Sequence, residues 1–250
     1  MMTKKNRMYD EFAHLWTIIS KPEDYANEAS YWKAAITKRL GDKRHKILEL
    51  GVGGGNNLSH LSPFYETTAV DLSEKMMENS KKINPNTRHL VGDMRDFRLD
   101  EKFDAVFIHD AISYMTTLTD LKKAFITAWK HLRPGGIFIT SPDYHKETFK
   151  ENTPKLSSTK SNDSFELTYC EYFNDPDPND TEYDCHFVYF IKNLMTGSVN
   201  VELDHHICGL FFEKEWITTL ESVGFKVELD DYPVHENGYE SWLFVGIKPK

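Results

Sequence analysis

Apolar residues along this chain cluster in two alternating ways. Short, nearly unbroken runs at Lys46 to Leu50, Thr67 to Val70, Thr87 to Val91, Phe103 to His109 and Ile137 to Thr140 read as strands. Ala105-Val106-Phe107-Ile108 is continuous, as expected of a strand covered on both faces. Between these runs apolar residues return at helical spacing. Leu121, Ala124, Phe125, Ala128, Trp129 and Leu132 make the clearest helix, stopped by Arg133-Pro134-Gly135-Gly136. Ser73 is placed to cap a helix carrying Met76, Met77 and Ile83, which Asn84-Pro85 breaks. Leu58 and Leu61 fit a short helix ending near Pro63, and residues 7–40 read as helical up to Gly41-Asp42.

The pattern changes at about Tyr144. Lys146 to Asp163 is polar and reads as a loop. Three strand-like runs follow, Ser164–Phe173, Glu182–Lys192 and Ser198–Cys208, joined by turn-forming segments 174–180 and 193–197. Consecutive strands with short turns predict an antiparallel meander. The α/β pattern then resumes with a helix over Glu213 to Val223 and strands at Phe225–Leu229 and Ser241–Ile247. The expected fold is α/β: a seven-stranded, mostly parallel sheet with helices on both faces, plus a β-meander inserted after strand five. Residues 1–45 form an N-terminal helical cap in this reading. Residues 46–148 and 209–250 form the core, and 149–208 the β-rich insertion.

The chain has 250 residues, enough for one large domain or a core with an insertion. Lys and Arg total 30 against 39 Asp and Glu, a net charge of −9, and no basic cluster stands out, so nucleic acid is not an expected partner. Cys170, Cys185 and Cys208 form no CxxC pair, so neither a metal site nor a disulfide framework is expected, and reduced thiols suit a cytoplasmic protein. No apolar run approaches the ~20 residues of a membrane helix, so no membrane partner is expected. The start, Met1 to Asn6, is polar.

The chemistry begins at Ile47-Leu48-Glu49-Leu50-Gly51-Val52-Gly53-Gly54-Gly55-Asn56, where a strand gives way to glycines. A dinucleotide fingerprint wants G-x-G-x-x-G, but its third glycine position holds Asn56. The glycines stand instead at Gly51, Gly53 and Gly55, behind Glu49. Asp71 ends the second strand, where an acid can accept from both ribose hydroxyls. Asp93, beside Met94, follows the third strand and can accept from an adenine amino group. Pro134-Gly135-Gly136 precedes the fifth strand.

With these features in order, the chain resembles the class I S-adenosylmethionine-dependent methyltransferases, over roughly residues 9–148 in motif order. The resemblance implies a Rossmann-like core with S-adenosyl-L-methionine as cofactor. It places Glu49 to Gly55 around the methionine part, Asp71 and Leu72 at the ribose, and Asp93 and Met94 at the adenine. Tyr25 and His109 complete the implied cofactor contacts. Tyr9-Asp10, Asp24-Tyr25, Glu28-Ala29, Gly92 to Phe97 and the meander narrow the likeness to a subset that includes nucleotide-deoxyamino-sugar N,N-dimethyltransferases and small-molecule N-methyltransferases. In that subset the meander covers the active site and builds a dimer, so a homodimer is an expected partner. The chain departs from the sugar enzymes at Met115, where they place a His.

Methyl transfer needs a positioned nucleophile, exclusion of water and, for an amine or hydroxyl acceptor, a base. Candidates for base or orientation are His109 and Asp110 after strand four, Tyr144 and His145 after strand five, and one of His205 and His206, which face opposite sides of a strand. The resemblance adds Tyr9, which would close over the transferred methyl. Tyr9, His109 and His145 are the expected catalytic residues. The acceptor is expected to be a small-molecule amine, an amino sugar or similar. A hydroxylated metabolite, or a catalytically silent cofactor-binding protein, is the alternative.

Overall fold

The computed structural model describes residues 6–233 and 242–250. Its core is a seven-stranded sheet. β1 (Lys46–Leu50), β2 (Glu66–Asp71), β3 (Arg88–Val91), β4 (Phe103–Ile108) and β5 (Leu132–Thr140) are parallel, and β12 (Trp242–Ile247) runs antiparallel between β5 and β11 (Lys226–Asp231). The order is β11-β12-β5-β4-β1-β2-β3. The chain reverses direction across the sheet between β1 and β4, and at such a switch point the strand ends leave a crevice.

Alternate residues of each central strand face opposite helix layers. Leu48, Leu50, Val106, Ile108 and Phe138 pack with α5 (Leu118–His131) and α6 (Glu213–Val223). Ile47, Ala105, Phe107 and Ile139 pack with α2 (Ala26–Leu40) and α3 (Asn56–Leu61), around the fully buried Trp32. The expected cap at Ser73 forms: its Oγ accepts from the Met76 amide at 3.0 Å and starts α4 (Glu74–Ile83).

The second sheet is the expected meander of β8 (Phe165–Asn174), β9 (Glu182–Asn193) and β10 (Val199–Gly209), with β10 at one edge. Lys146 to Asp163 is not wholly loop. β6 (Lys155–Leu156) and β7 (Lys160–Ser161) pair with the edge of β8 opposite β9 and satisfy backbone groups there.

Residues 7–40 are not one continuous helix. Short turns at Arg7–Tyr9, Ala13–Leu15 and Pro22–Tyr25 and the brief α1 (Trp16–Ile19) precede α2. Ser20 is extended, and Pro22, which has no N–H, opens a new turn. The broken path lets Met8, Phe12, Leu15 and Ile18 pack against Leu167 and Tyr189 of the meander. Leu132 also differs from expectation. α5 ends at His131, and Leu132 opens β5 opposite Phe103, with a register shift where Pro134-Gly135-Gly136 intervenes. Ser241, the expected start of the last strand, lies outside the described residues.

Candidate active site

The loop leaving β1 needs glycine on steric grounds. Gly51 and Gly55 both have φ near +80°, at 79° and 77°, where a side chain would be strained. A Cβ on Gly51 would also collide with Ala111, and one on Gly55 with Ser80. The loop is one wall of a cavity of about 380 Å³ at the switch point. Glu49, Gly51, Gly53, Gly55, Asp71, Leu72, Asp93, Met94, His109, Tyr25 and Tyr9 all line it, so the structure brings these sequence-derived candidates together.

The carboxylates differ in environment. Asp71 accepts from the Gly53 amide at 2.7 Å and the Ser73 amide at 2.8 Å, which pins it at the cavity edge. Burial pushes its pKa up against those bonds. Asp93 is partly buried, yet the Arg95 guanidinium holds it below its ordinary value, with contacts of 2.6 to 3.1 Å. Arg95 also reaches Asp120 at 3.0 Å. Glu49 is 3% exposed and its Oε2 has no protein partner. Burial pushes its pKa up to about 8, against the pull of His109.

At the far end of the cavity His109 caps the 3₁₀ turn Asp110–Tyr114. Its Nε2 lies 3.0 Å from Glu28 and its Nδ1 3.2 Å from Asp110. Burial lowers its pKa, but the two carboxylates outweigh this and raise it well above the ordinary value. A histidine charged in this way has both nitrogens donating, and neither is left to accept a proton. Asp143, three residues after β5, is the carboxyl that sequence reasoning missed. Burial pushes it up to about 7, Asp110 adds to the rise, and Ser113 and His109 oppose it. The available signal was the one that identified Asp71, an acid just past a strand end.

Tyr114 and Asp204 were also missed; they join the expected Tyr9 to His206, the inward-facing one of the two candidate histidines, in a chain of hydrogen bonds running back from the cavity. Tyr9 Oη lies 2.7 Å from Tyr114 Oη, which lies 2.8 Å from His206 Nδ1, and His206 Nε2 lies 2.9 Å from Asp204. Asp204 also accepts from the Met8 amide at 2.8 Å. The D-x-H alternation on β10 was the available signal for Asp204. His205 faces outward, as the strand period requires. His145 does not line the cavity. It is buried, with its ring stacked 5.4 Å from Phe244 on β12. Tyr144 packs among Phe149, Phe173 and Tyr183.

The residues present fit S-adenosylmethionine. A glycine wall allows close approach, a buried carboxylate lacks a partner, and a pinned carboxylate stands at the next strand end. Residues 48–140 match the family model described as a methyltransferase domain. The chain is 28% identical over 231 residues to the dTDP-3-amino-3,4,6-trideoxy-alpha-D-glucopyranose N,N-dimethyltransferase of Streptomyces venezuelae, covering 92% of this chain and 93% of that protein. It superimposes on the crystal structure of Streptomyces venezuelae DesVI with a TM-score of 0.80, at 25% identity over all of both chains. The sugar N-methyltransferase KedS8 from a Streptoalloteichus species shares the fold, with a TM-score of 0.82 at 21% identity over 100% of this chain and 96% of that one. Residues 48–140 are therefore a methyltransferase domain, and the enzyme is an S-adenosylmethionine-dependent methyltransferase.

Proposed function

We propose that the protein N-methylates the amino group of a small molecule, an amino sugar as in its relative. The observation that carries this reading is Asp143, a cavity carboxyl held near neutrality beside Tyr9 and Tyr114. An amine reaches the enzyme as an ammonium and must lose a proton before it can attack. A carboxylate with a pKa of about 7 can take that proton and release it to solvent. Bound in the glycine-walled half of the cavity, the cofactor supplies a methyl group on a positively charged sulfur. Glu49 would hold its amino-acid end, Asp71 its ribose and Asp93 its adenine. His109, clamped by Glu28 and Asp110, orients rather than accepts.

The hydrogen-bond chain behind Tyr9 has a direction. With a neutral imidazole whose Nε2 donates to Asp204, His206 Nδ1 accepts from Tyr114, and Tyr114 accepts from Tyr9. The Tyr9 oxygen then shows only lone pairs to the cavity, where they can accept from an ammonium or a polarised methyl. Tyr114→Phe frees the Tyr9 hydroxyl to turn. It should lower kcat by about tenfold, with the cofactor's KM nearly unchanged. An equal rise in KM with no change in kcat would remove the role.

Incubation with S-adenosylmethionine and a panel of nucleotide-linked amino sugars, with mass spectrometry of the products, tests the function. Methylation of a hydroxylated analogue lacking the amine, and not of the amines, would overturn it. No helix among the described residues is long and apolar enough to cross a membrane. Cys185 and Cys208 lie with Sγ atoms 3.7 Å apart and unbonded, which supports a cytoplasmic location; a disulfide in freshly isolated protein would count against it. Val199, Val201 and Leu203 on the edge strand are 58%, 58% and 64% exposed, which supports a homodimer through the turn end of the meander; light scattering reads its mass directly.

A further inference from the structure

On the outer face of the meander, away from the cavity, Asp184, His186 and His205 converge. His186 and His205 are directly opposed in the β9–β10 ladder, and Asp184 precedes His186 by two residues on the same face. One donor atom from each of the three lies within 4.8 Å of the other two. The imidazole rings are parallel, with centroids 4.5 Å apart, and Tyr172 stacks on the other side of His186. His205 Nε2 sits 2.8 Å from Asp184 Oδ1. The neighbouring outward positions on β10, Leu203 and Ile207, are apolar.

We propose that these three side chains form a site for a divalent first-row transition ion, with Zn(II) the best match. Two imidazole nitrogens and one carboxylate oxygen, without thiolate, make a borderline donor set that favours Zn(II), Ni(II) or Cu(II) over Mg(II) or Ca(II). Metal–ligand bonds of roughly 2.0–2.2 Å put tetrahedral donors about 3.5 Å apart. Rotation of the side chains closes that gap, because the eleven-pair ladder already fixes the backbone. The site opens outward, so water completes the coordination. Opposed histidines also have a reason to be there under this reading, since two imidazoles side by side repel when protonated and share an ion when neutral. The ion ties edge strand β10 to β9 at the level where His206, the next residue, turns inward to Tyr114. It takes no part in methyl transfer, so this site stands or falls independently of the acceptor.

The test is calorimetric titration of untagged, chelator-treated protein with zinc chloride, alongside His186→Ala, His205→Ala and Asp184→Asn. One ion per chain is expected in the unaltered protein, with affinity at least about tenfold weaker in either histidine variant. Electron paramagnetic resonance of the Cu(II)-loaded unaltered chain should show coupling to two nitrogens and needs no variant to fold. Absence of stoichiometric Zn(II) binding would overturn the proposal. So would unchanged stoichiometry and affinity in the double histidine variant, or Cu(II) coupled to a single nitrogen.

Discussion

Asp143→Asn should cost about a hundredfold or more in kcat, which lies within the range for removing a general base. The variant keeps the size and the Ser113 contact but cannot take a proton. The sign of the pH dependence follows from the same group. The working form is the carboxylate, so the unaltered enzyme should gain rate as pH rises toward about 7 and level off above it. Asp110, Glu28, His109, Tyr9 and Tyr183 all face or influence this site. Asp110 and Glu28 raise the value and His109 lowers it, so replacing Asp110 should move the inflection to lower pH. In Asp143→Asn the inflection should vanish. Steady-state kinetics across pH on both proteins decides the matter, and a variant that keeps both the rate and the inflection sinks the assignment.

Glu49→Gln should weaken binding of S-adenosylmethionine by about ten- to a hundredfold, the usual cost of losing a charged hydrogen-bond partner. It should also make the ligand-free protein more resistant to heat above neutrality. In the folded chain Glu49 has a pKa of about 8, raised by burial from an ordinary 4.5. Between those values the folded state keeps a proton that the unfolded chain releases. Its contribution to stability is therefore fullest at low pH and is lost as pH climbs through about 8, leaving a buried charge without a partner. Glutamine carries no such liability. Melting temperatures at about pH 5 and about pH 8 should differ little between the two proteins at the first and favour the variant at the second. Cofactor binding near neutrality should also expel a proton from Glu49, making the calorimetric enthalpy depend on the buffer, and the variant should lose that dependence. A variant that binds like the parent and melts like it at both pH values would leave Glu49 with no role at the cofactor.

The glycine-walled half of the cavity was readable because its signals are local. A strand that turns through Gly51 and Gly55 must have positive φ there, and an acid at the end of β2 must lie beside that turn. The opposite half is assembled from distant segments. Tyr9, Tyr114, Asp143 and Asp204 come from the N-terminal segment, the turn after β4, the loop after β5 and the meander, and no spacing links them. His109 and His145 looked alike in sequence, each near a strand end. Both are buried, and their neighbours separate them, one between two carboxylates and the other against Phe244. The parallel core was legible from its alternating apolar runs. The broken N-terminal path was not, because its side chains follow the meander's surface rather than a helical period.

The segment bearing Tyr9 is fastened on two sides. The Ser73 hydroxyl donates to the Tyr9 carbonyl beside the cofactor wall, and Asp204 accepts the Met8 amide from the meander wall. Movement of that segment would break both contacts together and loosen both walls at once. Spent cofactor and methylated amine would leave through the same movement, so a monomethyl product meets solvent each time the cofactor is renewed. An acceptor that takes two methyl groups should therefore do so in separate visits, with free monomethyl amine building up before the dimethyl form.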